Sequence, residues 1–238
     1  MKKAIIVGAS SGMGRSLAKL MVENDYLVGI TGRRTELLRE IKAERPESYK
    51  IKTFDITQTQ TIIQQLEELT HELGGLDILI ICSGTGELNE KLVFELEKKT
   101  IDTNISGFTA IADWTFNYFV AQKQGHFVAI SSIAGLLGNS VAPAYSASKA
   151  YQINYLEGLR IKAAKSALPL FITDIRPGFV NTPMAKGQGV FWMASADKAA
   201  LQIFKAIQKK RKVAYITKRW VLIALLFKSL PVRLLEKL

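Results

Sequence analysis

Ala4-Ile5-Ile6-Val7-Gly8-Ala9-Ser10-Ser11-Gly12-Met13-Gly14 opens the chain, and its reading decides the fold. Four apolar residues are too few for the core of a signal peptide, so Ala4–Val7 predicts a first strand. The glycines follow as G-x3-G-x-G and allow a tight turn in which backbone N–H groups approach a phosphate. The next helix adds partial positive charge from its N-terminus. That helix is expected over Gly12 to Asn24, with Leu17, Leu20 and Met21 at core spacing. A glycine turn alone is consistent with a plain bend. Between a strand and a helix it favours the pyrophosphate of a dinucleotide, held by Gly8, Ser10, Ser11, Gly12, Met13 and Gly14.

The alternation continues outward from this stretch. Leu27–Thr31, Ile51–Asp55, Leu76–Ile81, His126–Ser131, Leu170–Ile175 and Val213–Ile216 predict strands. Thr35–Glu44, Thr59–Leu73, Ile101–Gln122, a segment from Tyr145 toward Ala167, and Ala196–Lys209 predict helices. In Thr59–Leu73 the inward face is Ile62, Ile63, Leu66 and Leu69. Strands alternating with helices imply an α/β, doubly wound Rossmann fold: a parallel seven-stranded sheet flanked by helices. Residues 1–216 form one dinucleotide-binding and catalytic domain in this reading, and 217–238 a basic, apolar helical extension.

Composition narrows the classes. The chain has 238 residues, 48% of them hydrophobic, enough for one large core. A single cysteine, Cys82, excludes an internal disulfide and suits a reducing, cytoplasmic compartment. His71 and His126 stand apart from any cluster of acids or cysteine, so no metal site is expected. The net charge is +11. Ten basic residues and one acid lie between Lys205 and Leu238, a net +9 against +2 for all that precedes. The basic tail carries no nucleic-acid recognition motif.

The end of the second strand reads Gly32-Arg33-Arg34, with no acid before Glu36. An acid there would accept from the ribose 2′-hydroxyl of NAD; a guanidinium pairs with the 2′-phosphate of NADP. NADP(H) is favoured over NAD(H), with Arg33 and Arg34 as the contacts and Arg34 the one more readily left to solvent.

The chemistry gathers around Ser131-Ser132 and Pro143-Ala144-Tyr145-Ser146-Ala147-Ser148-Lys149-Ala150. Tyr145 and Lys149 stand one helical turn apart and share a face. An ammonium near a phenol favours the phenolate and brings its pKa toward the working range. Ser132, at the end of a strand, points its hydroxyl toward the tip of that helix. The three groups together suit holding and protonating a carbonyl oxygen.

These residues, in this order, resemble the short-chain dehydrogenase/reductase family in its shorter form. The resemblance runs from Lys3 to about Ile216 and includes the glycine turn, Asp55, Asn104 in Asp102–Gly107, Ser132, Tyr145/Lys149 and Arg176-Pro177-Gly178-Phe179-Val180-Asn181-Thr182. It implies that Tyr145 is the general acid in reduction and base in oxidation. Lys149 lowers the tyrosine pKa and binds the nicotinamide ribose, and Ser132 holds the substrate oxygen. Asn104 anchors a water that links Lys149 to solvent. Asp55 and Ile56 contact adenine, and Pro177, Gly178, Val180 and Thr182 hold the carboxamide. A homodimer or homotetramer is implied as well. Two positions depart from the family pattern. Ile81-Cys82-Ser83-Gly84 stands where Asn-Asn-Ala-Gly is frequent: Gly84 keeps the close approach, and Ser83 or Cys82 stands in for an absent asparagine. Val7 precedes the first glycine where threonine is frequent. Cys82 reads as a small core residue.

Pro183 to Ser195 occupies the region that covers the substrate in similar proteins. Its Met184, Val190, Phe191, Trp192 and Met193 imply a lipophilic substrate bounded by Met184, Phe191 and Trp192, or packing on the protein itself. The tail run Trp220–Phe227, flanked by Lys218-Arg219 and Lys228, is too short to span a bilayer. It suits a helix lying on an anionic membrane surface through 218–238, at the inner face, or one packed on the core or a partner subunit. The leading expectation is an NADP(H)-dependent reductase or dehydrogenase. The alternatives are a non-catalytic NADP(H)-binding redox sensor and a membrane-surface adaptor.

Overall fold

The computed structural model of the chain describes residues 1–182 and 191–229. Seven strands form one sheet in the order β3-β2-β1-β4-β5-β6-β7. They are β1 (Lys2–Val7), β2 (Tyr26–Gly32), β3 (Tyr49–Thr53), β4 (Ile78–Ile81), β5 (Gly125–Ile130), β6 (Leu170–Pro177) and β7 (Val213–Ile216), and every pairing is parallel. The connecting helices are α1 (Gly12–Val22), α2 (Thr35–Glu44), α3 (Thr59–Leu73), α4 (Phe94–Ile101), α5 (Phe108–Ala121), α6 (Pro143–Lys165), α7 (Ala196–Gln208) and α8 (Trp220–Ser229). This is the doubly wound fold that the alternation predicts.

The strand pattern explains both layers. Successive side chains leave a strand on opposite faces. Ala4 and Ile6 of β1 join one buried cluster with Leu17, Leu38 and Ile203. Ile5 and Val7 join the other with Leu66, Leu69 and Phe108. In β4, Ile78 and Ile80 go one way and Leu79 and Ile81 the other. A strand covered on both sides needs this unbroken apolar run. Each such side chain contributes about 1.5–3 kcal/mol on burial.

Chain order reverses between β1 and β4, and that switch point opens a crevice above the strands' carboxyl ends. The helix expected from Ile101 begins earlier, as α4, and is interrupted at Asp102–Gly107 by a π-helical turn. The periodicity misses α4 because Thr100 is its one buried residue, while Phe94 is 66% exposed. Ile63, expected to face inward on α3, is exposed; Ile62, Leu66, Leu69 and Leu73 fill that contact.

Candidate active site

The glycine turn is built from backbone constraints. Gly8 and Gly12 have φ of +91° and +56°, the left-handed region. A Cβ on Gly8 would sit 2.6 Å from the Ser83 nitrogen, and one on Gly14 would sit 2.1 Å from the Gly8 carbonyl oxygen. The turn is therefore closed down onto β4 and α1. Ser11 precedes α1 without a side-chain capping bond, which leaves the first helical N–H groups facing the crevice. This is the geometry an anionic pyrophosphate requires.

A cavity of about 450 Å³ extends from this turn. Gly8, Ser10, Ser11, Gly12, Met13, Gly14, Arg33, Arg34, Asp55, Ile56, Ser83, Gly84 and Thr182 all line it. Two buried hydroxyls on its wall, those of Thr31 and Ser83, have no partner among the described residues. Arg34 donates to Ser10 Oγ at 2.7 Å and to Ser11 Oγ at 2.7 Å. Arg33 pairs with Asp55 at 3.5 Å. The weighting of the two arginines is thus corrected: Arg34 is the one fastened to the turn, because its fork reaches back over the two serines. Asp55 is pushed up by burial, but hydrogen bonds from the Thr57 amide and hydroxyl, with Arg33, outweigh this and hold its carboxyl below the usual range. Free N–H groups, orphaned hydroxyls and a pair of guanidiniums fit a phosphorylated dinucleotide.

Ser83 and Cys82 do not replace the expected asparagine. Both backbone nitrogens donate to the Val7 carbonyl, at 2.9 and 2.8 Å, and so tie β4 to β1. The Ser83 hydroxyl itself has no bond among the described residues. Burial pushes the Cys82 thiol up to about 12, which keeps it inert at neutral pH.

A second cavity, of about 410 Å³, adjoins the first across Met13, Cys82, Gly84, Gly86 and Thr182. Ser132, Tyr145 and Lys149 line it with Pro177, Gly178 and Val180. Ser132 lies just beyond β5, its hydroxyl accepting from Ala134 N at 3.1 Å and donating to Pro177 O at 3.4 Å. Pro143 starts α6 two residues before Tyr145. The Glu97 carboxylate of α4 accepts from Ala144 N at 2.9 Å, fixing the tip of α6. A Cβ on Gly86 would sit 2.5 Å from the Tyr145 ring, so only glycine lets that loop lie against it.

Lys149 is buried, with Nζ 5.8 Å from the Tyr145 ring centroid. It donates to the Ile130 carbonyl at 3.0 Å and to Gln152 Oε1 at 2.9 Å. Desolvation lowers its pKa to about 8, opposed by Asp174 and Cys82. The phenol is raised by burial, and the hydrogen bond from Ser132 pulls it partly back. The expected lowering by Lys149 is therefore corrected for the protein alone. The ammonium lies under the ring and directs its protons at Ile130 and Gln152, so desolvation wins.

Asn104 is fully buried in the π-helical turn. Its amide accepts from Thr85 N at 2.9 Å and donates to Thr85 O at 2.7 Å and Ser148 Oγ at 2.9 Å. Its carbonyl accepts from Gln152 Nε2 at 2.9 Å. Sequence reading missed Gln152, Thr85 and Glu97; for Gln152 the signal was its place three residues beyond Lys149 on one helix face.

The apolar wall differs in detail from expectation. Phe191 lines the second cavity, and so do Trp220 and Ile223 of α8. Trp192 is not among the lining residues; it packs edge-on to Trp220 at 5.9 Å, with the Arg219 guanidinium 5.2 Å from its ring. Met184 and Val190 lie outside the described residues. A Cβ on Gly178 would sit 2.0 Å from the Trp220 ring, which is why this tryptophan nests against the loop after β6. Trp220 and Ala224 are buried while Leu222 and Leu225 are 66% and 60% exposed. The first turns of α8 thus pack one side on the core and expose the other.

The family model for short chain dehydrogenases matches residues 2–190. The chain is 32% identical over 188 residues to an uncharacterized oxidoreductase of Myxococcus xanthus, covering 77% of this chain and 74% of that one. Its fold is similar to that of an actinorhodin polyketide ketoreductase variant solved with NADPH. That match has a TM-score of 0.81 and 20% identity, over 90% of this chain and 95% of that one. It is similar also to the closed form of a serine dehydrogenase complexed with NADP+, with a TM-score of 0.81 and 23% identity, over 90% and 93%. The chain belongs to the short chain dehydrogenase family and is an oxidoreductase of that family.

Proposed function

We propose that this protein is an NADP(H)-dependent oxidoreductase that interconverts a carbonyl and a secondary alcohol on a lipophilic substrate. The observation that carries this reading is a cavity walled by the glycine turn and arginines that adjoins, across Met13, Cys82, Gly84, Gly86 and Thr182, an apolar cavity lined by Ser132, Tyr145 and Lys149. Bound nicotinamide supplies the hydride in reduction and takes it in oxidation. Tyr145 donates the proton to the carbonyl oxygen, a task suited to a phenol that burial keeps protonated. Ser132 holds that oxygen and steadies the charge growing on it. Lys149 presents an ammonium to the ribose and, through it, favours the phenolate in the reverse direction. Asn104 holds Thr85 and Gln152 at the back of the site.

Arg34, supported by Ser10 and Ser11, and Arg33 give NADP(H) its preference over NAD(H). Two structures of similar fold were solved with NADPH and with NADP+, which agrees with that choice. Asp55, Ile56, Pro177, Gly178, Val180 and Thr182 complete the nucleotide contacts, and Phe191 borders the substrate. The test is NADPH oxidation by the purified protein over a panel of apolar ketones and aldehydes. Turnover of apolar members above polar ones is expected; no turnover of any member sinks the reading.

No helix among the described residues is long and apolar enough to cross a membrane. We assign the tail, with exposed Leu222 and Leu225 beside Lys218 and Arg219, to peripheral contact with an anionic membrane from the cytoplasmic side. Flotation with anionic vesicles, with and without 218–238, tests this; equal flotation of both removes it. A homodimer or homotetramer is assigned from the family and is read directly by sedimentation.

A further inference from the structure

We propose that Gln152 is a positioning residue of this site: its amide bridges the Lys149 ammonium to the Asn104 backbone carbonyl and so fixes where the ammonium lies. The inference rests on the functional reading above for its meaning in turnover, but not for its geometry. Gln152 is 1% exposed and stands on α6 one turn beyond Lys149, on the same face. Its two amide atoms are both engaged. Oε1 accepts from Lys149 Nζ at 2.9 Å, and Nε2 donates to Asn104 O at 2.9 Å.

That polarity is forced. An ammonium has only donors and a backbone carbonyl only acceptors, so a link between them needs one acceptor and one donor in a fixed order. A carboxamide provides both at a set separation. Lys149 has four bonds of side chain and would otherwise sample several rotamers; with Ile130 O and Gln152 Oε1 as its acceptors it has one seat. The π-helical turn at Asp102–Gly107 contributes the other half, since a widened turn turns a backbone carbonyl out of the helical ladder and toward α6. A carboxamide, unlike a water, does not readily pass a proton along. The bridge therefore orients Lys149.

The charged and titratable groups that face Lys149 are Asp174 of β6, Cys82 beyond β4 and Tyr145 of its own helix. None of them occupies the Gln152 position, so a change at 152 is felt by the ammonium directly. The experiment uses the full chain without substrate, lysines labelled with 13C at Cε, and the Lys149 signal assigned by its loss in Lys149→Met. The wild-type signal should titrate near pH 8. Gln152→Met, similar in size but without the strong acceptor, should move the midpoint down. Gln152→Glu, which returns an acceptor with negative charge, should move it up. If NADPH reduction of a panel carbonyl is found, Gln152→Met should lower kcat/KM roughly tenfold, as for one lost hydrogen bond to a charged group. Gln152→Glu should recover part of it. Equal midpoints in wild type and both variants overturn the proposal, as does a Gln152→Met enzyme with unchanged kcat/KM. Should Gln152→Met fail to fold, the Gln152→Glu midpoint alone decides. Because the titration needs no turnover, it stands even if no carbonyl is reduced.

Discussion

Two buried bases with opposite fates lie at the two ends of β5, His126 on the strand itself and Lys149 reaching it from α6. At the amino end His126 bonds through Nε2 to the Thr173 hydroxyl at 2.8 Å and packs against Phe171. At the carboxyl end the Ile130 carbonyl receives the Lys149 ammonium. Desolvation pushes both down, His126 to about 4 and Lys149 to about 8. At neutral pH the first is therefore neutral and the second still charged. His126 has one polar partner and a packed ring beside it. Lys149 has two acceptors, a phenol one turn away and an open cavity in front. A perturbed titration alone does not mark a site; convergent groups facing open space do.

The strongest test of that contrast is Tyr145→Phe. It should lower turnover about a thousandfold, as for loss of a positioned proton donor, and leave NADPH binding by fluorescence within a few-fold. Comparable losses of both would return Tyr145 to a structural role, like that of His126.

The pH profile comes next. Turnover that needs the Lys149 ammonium should be full below about pH 8 and fall as pH rises through that value, about tenfold per unit above it. An unshifted lysine would place the limb near 10.5. A profile flat to pH 9.5 breaks the link between this lysine and the chemistry.

Arg34→Ala should weaken NADPH by roughly ten- to a hundredfold, the range for charged hydrogen bonds, and NADH far less. Arg33→Ala should have the smaller effect, since its guanidinium faces Asp55. Equal loss for both cofactors puts the 2′-phosphate elsewhere.

Phe191→Ala should raise KM for apolar carbonyls several-fold with little change in kcat, because the ring supplies contact rather than transition-state charge. A fall in kcat alone would give that ring a different task.

At the other end of the strand, His126→Gln should leave turnover untouched. Its effect is on stability. The folded pKa of about 4 lies below the unfolded 6.5, so the unfolded chain binds more protons as pH falls through that window, and stability is lost there. The variant should remove roughly 2 kcal/mol of the loss between pH 7 and pH 5, read by urea unfolding. An equal acid slope in the variant would mean that His126 is not buried neutral.

The sheet was legible because its information is local. Val7–Gly8, Ile78–Ile81 and Leu170–Ile175 carry apolar runs and glycines that mean the same in any context. The glycine turn was legible for that reason too. The site was legible where four-residue spacing decides it, as for Tyr145 and Lys149. It failed where partners come from distant chain. Nothing near Gln152 announces that its amide meets the carbonyl of Asn104, because a π-helical turn 48 residues away delivers that carbonyl. Glu97 escaped because α4 has no apolar face to betray it. The run from Trp220 left surface and core packing open, because only the distant Gly178 admits its ring to the cavity wall. The pairwise attraction of Lys149 for the Tyr145 phenolate is what spacing suggests, and burial instead pushes that phenol up.

The central claim is that a carbonyl in the cavity lined by Tyr145 takes a proton from that phenol and a hydride from a nicotinamide entering from the adjoining cavity. NADPH dideuterated at C4 of the nicotinamide, mixed with the panel carbonyl that is reduced fastest, tests it directly through the mass of the product. One deuterium on the carbinol carbon, with the hydroxyl proton drawn from solvent, is the predicted result. An alcohol without deuterium at that carbon, or no alcohol from any member of the panel, would contradict it.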